Sequence, residues 1–186
     1  MPILTLMELI DIVIMTAVLG YIFMDVLRKP FSPEDYIKLR RFDWKSFKFA
    51  CLATAPAIIL HEFGHKLFAL SFGLEATFNA AYFWLGLALL LKLSKFPFIF
   101  FVPAYISIFG DASSFQYSLI AFAGPLVNLL LWLGSYIILK TMRIKHKYIP
   151  LLALTSRINM FLFIFNMLPI PGFDGFKVFS ELLSIF

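Results

Sequence analysis

From Ala112 to Leu139 the chain runs 28 residues without a charged side chain. About 20 mostly apolar residues cross the hydrocarbon of a bilayer, so this stretch predicts a membrane span. The composition extends the inference to the whole chain. Its 186 residues are 61% hydrophobic and 15% charged, against roughly 45–50% and 25% in a soluble domain. So few charges cannot cover the surface of a soluble globule of this size, and disorder is excluded on the same grounds. Cys51 is the one cysteine, which excludes an intrachain disulfide and a thiolate metal cluster. The formal net charge of +5 reads as loop charge beside lipid headgroups. Neither a nucleic-acid nor a nucleotide partner is expected.

The expected architecture is an all-α polytopic membrane protein in one transmembrane domain, residues 1–186, with five to six spanning or half-spanning helices. The first covers 9–27 and reads as a retained helix, because no positive region of a signal peptide precedes it. Residues 28–48 form a polar loop with seven of the sixteen Lys/Arg, and 49–74 form the second helix. Between 75 and 111, two uncharged pieces are flanked by Lys92 and Lys95. They predict a short helix plus extended strands, since ATFNAAYFW and FIFFVPAYISIF are partly aromatic and β-branched. Such backbone is tolerated at membrane depth when it pairs with itself or lies against protein. The span 112–139 follows, then a basic loop, then a segment 149–186 broken by prolines and glycines in NMLPIPGFDG.

Two of the three histidines lie in His61-Glu62-Phe63-Gly64-His65. Shuffling the chain's own His and Glu would give this pattern roughly once in a thousand trials. Residues i and i+4 share a helix face, so both imidazoles can bind one metal ion. Glu62, beside the first of them, is placed to act as general base on an attacking water. Ionisable groups inside an apolar helix are costly and usually functional.

A catalytic zinc takes three protein ligands and keeps one position open. Cys51 lies about 15 Å from His61 along a helix and cannot contribute. His146 sits in a basic loop. The remaining candidates are Glu75, Asp111, Asp174 and Glu181. Asp174 follows the Pro/Gly break, and discontinuous helices are where intramembrane sites are built. It is alternatively an N-cap for a short final helix over 176–186. Asn128 and Asn166 are each either helix–helix glue or donors to a developing oxyanion. Lys66 and Arg157 read as snorkelling or paired charges.

HEFGH, then GPLVN (Gly124 to Asn128), then NMLPIPGFDG resembles the motif order of the site-2 proteases, zinc metalloproteases that cut within the membrane. The likeness covers residues 61–175 and is closest to compact archaeal or bacterial members without a PDZ or CBS domain. It implies that His61, His65 and Asp174 bind one zinc ion, that Glu62 activates the water and that Asn166 holds the scissile segment or its oxyanion. It also implies membrane-embedded strands between Gly73 and Ile108, a single-span or hairpin membrane-protein substrate, and a multi-pass place in a prokaryotic cell membrane. One departure is Pro171-Gly172-Phe173, where the family places Leu and Pro before the aspartate. Two rival functions use the same residues. A membrane metal-ion carrier would extend a path through Asp111 or Glu75, but no polar ladder runs along several helices. A catalytically inactive scaffold would not need the intact Glu62.

Overall fold

The computed structural model describes residues 3–27, 42–96 and 102–185. In chain order the elements are α1 (Leu6–Phe23), α2 (Trp44–Ser71), β1 (Glu75–Ala80), α3 (Tyr82–Leu93), β2 (Ala104–Phe109), α4 (Ser114–Thr141), α5 (Ile149–Asn166) and α6 (Asp174–Leu183). A 3-10 turn, His146–Tyr148, leads into α5. Among the described residues, three helices are long and apolar enough to cross a membrane: Leu6–Phe23, Ser114–Thr141 and His146–Asn166. The fold is that of a helical membrane protein with a small two-stranded sheet, as the sequence predicts.

Local chemistry sets where the helices begin. Thr5 and Glu8 form a capping box on α1, and Ser113 and Gln116 form one on α4, each satisfying backbone donors that a helix start leaves open. Asp43 caps α2 by accepting from the Lys45 and Ser46 amides at 3.0 and 3.1 Å. Residues 44–48 are therefore helical although they were expected in the polar loop; residues 28–41 of that loop lie outside the described residues. The expected strand over ATFNAAYFW stops at Ala80, and Tyr82–Leu93 continues as helix. The apolar run from Tyr82 to Leu91 is long enough to close its own backbone hydrogen bonds, which outweighs the strand preference of its aromatics. Of the second expected strand, Ala104–Phe109 is extended, while 98–101 lie outside the described residues. The last helix starts at Asp174, with Phe173 as its cap, so Asp174 is the first helical residue and not the N-cap.

β1 and β2 pair antiparallel, with Phe78 opposite Ile106 and Ala80 opposite Ala104. One face of the sheet packs on α1 and α2, where Met15, Leu19, Ala55, Phe78 and Ala104 form a core. α4 lies close against α2, because a Cβ on Gly64 would come within 2.8 Å of the Ala123 carbonyl oxygen. Leu6, Val13, Phe83 and Leu130 stand exposed on outer faces, as suits helices bounded by lipid.

Candidate metal centre

α2 carries His61, Glu62, His65 and Lys66, and all four side chains are buried. The i, i+4 spacing puts the two imidazoles on one face, edge to face, with ring centroids 4.7 Å apart. They face α4 where it offers no side chain: a Cβ on Gly124 would lie 2.3 Å from His65 Nε2 and 2.8 Å from His61 Cε1. The glycine of GPLVN is therefore a steric requirement of the imidazole pair. Pro125, next to it, lacks the amide that would tie the Ala121 carbonyl. The neighbouring Ile120 carbonyl oxygen accepts from His65 Nδ1 at 2.7 Å.

His61 Nδ1 donates to Asn128 Oδ1 at 2.5 Å. The direction is fixed by the rest of the chain of bonds. Asn128 Nδ2 donates to the Ala57 carbonyl at 3.2 Å and to Asn159 Oδ1 at 2.8 Å, and Asn159 Nδ2 donates to the Thr155 carbonyl at 2.7 Å. With amide nitrogens thus committed, Asn128 Oδ1 must accept. Both Nδ1 atoms then carry protons, and both Nε2 atoms present lone pairs to the same point. Asp174, at the start of α6, aims Oδ2 there, 3.1 Å from His61 Nε2 and 3.3 Å from His65 Nε2; the two Nε2 atoms are 3.1 Å apart.

This triangle fits zinc. Tetrahedral sites with bonds of about 2.0–2.2 Å hold their ligand atoms about 3.3–3.6 Å apart, within a few tenths of an ångström of these separations. The donor set, two neutral imidazoles and a carboxylate, is one that zinc accepts, and the outer partners of the imidazoles fix their tautomer and orientation.

Glu62 opens onto a cavity of about 850 Å³. The cavity is bounded by α1, the metal face of α2, β2, α5 and α6, with Asn166, Arg157 and Asp174 in its wall. The other candidates separate from the centre. Glu75 and Asp111 are exposed, as is His146. Glu181 lines the cavity but is not in the ligand group. Cys51 packs against α1, its thiol 3.5 Å from the Thr16 carbonyl. Lys66 is paired, with Glu8. Arg157 makes no ion pair among the described residues and faces the cavity. Asn128 is indeed a bridge between helices, but its bond to His61 gives it a second task. Asn159 was missed altogether, because its partner lies on another helix; its place among buried apolar residues was the available signal.

These features define a class, a helical membrane protein built around a His–His–carboxylate group that can hold a metal ion, with a glutamate beside it. The comparisons with known proteins are more specific. A protein of Methanocaldococcus jannaschii named "Putative zinc metalloprotease" is 31% identical over 172 residues, which span 92% of this chain and 82% of that protein. One of Synechocystis sp. with the same descriptive name is 29% identical over 127 residues, spanning 68% of this chain and 29% of that protein. The chain belongs to this zinc metalloprotease family, and zinc is its cofactor. No protein-family model matches the chain, and no solved structure does.

Proposed function

We propose that the chain is a multi-pass intramembrane endopeptidase of the site-2 protease type, acting in a prokaryotic cell membrane on single-span or hairpin membrane proteins. The observation that carries this reading is the convergence of His61, His65 and Asp174 within 3.1–3.3 Å, with Glu62 facing a cavity enclosed by helices of membrane-spanning character.

His61, His65 and Asp174 would hold the zinc. Bound there, zinc would polarise the scissile carbonyl and would lower the pKa of the attacking water. Glu62 takes the proton from that water and returns it to the leaving amine. Asn166, at the end of α5 and in the cavity wall, donates to the carbonyl oxygen as negative charge develops on it. Asn128 and Asn159 keep the His61 imidazole in one tautomer. A helical substrate shields its peptide bonds, so a short stretch must unwind; β2 runs along the cavity and offers an edge on which the extended stretch can pair. Pro or Gly in the substrate lowers the cost of unwinding.

The test is proteolysis by the purified chain in liposomes holding a transmembrane peptide, with the cut mapped by mass spectrometry. The reading expects a cut inside or next to the apolar segment, stopped by a zinc chelator and restored by zinc. Cleavage confined to soluble peptides would contradict the intramembrane reading. Zinc transport into the vesicles without cleavage would favour a carrier, and neither activity an inactive scaffold.

A further inference from the structure

A two-stranded sheet has two outer edges, and either one is a template for a third strand. The outer edge of β1 is occupied. Its Phe78 amide donates to Glu8 Oε1 at 2.7 Å, and its Ala80 amide donates to Asp11 Oδ2 at 3.0 Å. Both carboxylates come from α1, about 70 residues earlier in the chain. Glu8 is 3% exposed; its Oε1 also accepts from the ammonium of Lys66, itself 1% exposed, and its Oε2 accepts the Thr5 amide at 2.7 Å. Asp11 also accepts from the Tyr82 hydroxyl.

The register identifies the other edge. The amide and carbonyl of a strand residue leave on the same side. With Phe78 and Ala80 facing α1, Thr77 and Asn79 bond across to Ser107 and Tyr105. The backbone groups of Ala104, Ile106 and Ile108 then face away from β1, and all three residues line the cavity that holds the metal centre.

We propose that Glu8 and Asp11 are positioning residues that close the outer edge of β1, so that an extended substrate segment pairs with β2 alone. The proposal rests on the strand-addition reading given above and says which edge it uses and why. Carboxylates suit the task, since charge-assisted bonds to backbone amides are about twice as strong as those an incoming neutral carbonyl could make. Lys66 neutralises Glu8 within the core, which offsets the cost of burying its charge. Lys66 also follows His65 directly, so the same contact ties the sheet to the metal-binding turn of α2.

Disulfide trapping tests the proposal without catalysis. In a Cys51→Ala, Glu62→Gln background, a cysteine is placed at Ser107 on β2 or at Thr77 on β1, opposite one another in the register, and a transmembrane substrate carries a cysteine scan. A strand added to β2 lies about 4.8 Å from it and about twice that from β1, so only Ser107→Cys should trap substrate. Asp11 is half-buried, and Asp11→Leu should retain zinc and helical content, bring Thr77→Cys trapping up at least fivefold and lower that at Ser107→Cys. Asp11→Asn and Glu8→Gln each keep an acceptor but lose the charge, and each should shift the pattern in the same direction as Asp11→Leu and by less. Trapping at Thr77→Cys with both carboxylates intact overturns the proposal. So does an unchanged pattern in Asp11→Leu. Trapping at neither strand, with substrate still bound, removes strand addition itself and the proposal with it, an outcome distinct from the previous two because Ser107→Cys is then silent.

Discussion

His61 turns Nε2 toward His65 and Asp174 only because its Nδ1 proton has somewhere to go. That acceptor is Asn128, held in turn by Ala57 and Asn159. Asn128→Ala leaves this proton unbonded in a fully buried place, since Asn128 is 0% exposed. Zinc affinity should fall about 10–100-fold, measured by competition with a chelating dye, while helical content stays unchanged. Asn159→Leu should act in the same direction and more weakly, as it touches the imidazole through Asn128. At this scale the sequence was informative where the chemistry is local. HEFGH declares its geometry because one helical turn joins its two imidazoles. Asn159 and Glu8 do not declare theirs, because their partners lie 31 and 58 positions away and packing alone chooses them.

α6 brings Asp174 to the imidazoles by docking on α4, where Ser118 Oγ donates to the Val178 carbonyl at 3.3 Å. The approach depends on Gly175, because a Cβ there would stand 2.4 Å from the Met167 carbonyl oxygen. Gly175→Ala must push α6 away from the end of α5. A misplacement of about 1 Å at a reacting centre costs on the order of 100-fold in rate. The variant should lose zinc and cleavage together, read by metal analysis and a kinetic assay on one preparation; full zinc occupancy with full activity would show that α6 tolerates the shift. The elements themselves were largely legible, since uncharged runs mark α1 and α4 and the Pro/Gly break separates α5 from α6. The ends were less so. Asp43 starts α2 inside what reads as a basic loop, because a capping carboxylate acts over three residues whereas the charge pattern is averaged over twenty.

Across the whole molecule, polar groups are placed where helices meet, and they couple segments far apart in the chain. The Glu8–Lys66 pair joins α1, α2 and β1. Glu8→Ala strands a buried ammonium and should destabilise the protein by about 3–5 kcal/mol, seen as a lowered Tm in detergent; Glu8→Leu combined with Lys66→Met should recover most of that loss. The same logic places the reactive groups. Two imidazoles from α2 and a carboxylate from α6 meet beside a glutamate that lines the cavity, and on this arrangement the proposal of a zinc endopeptidase depends. Glu62→Ala tests it most directly, with zinc content and transmembrane-peptide cleavage measured on the same purified sample. The account predicts one zinc per chain and no detectable cleavage. Cleavage at an undiminished rate, or loss of the metal along with the side chain, would contradict it.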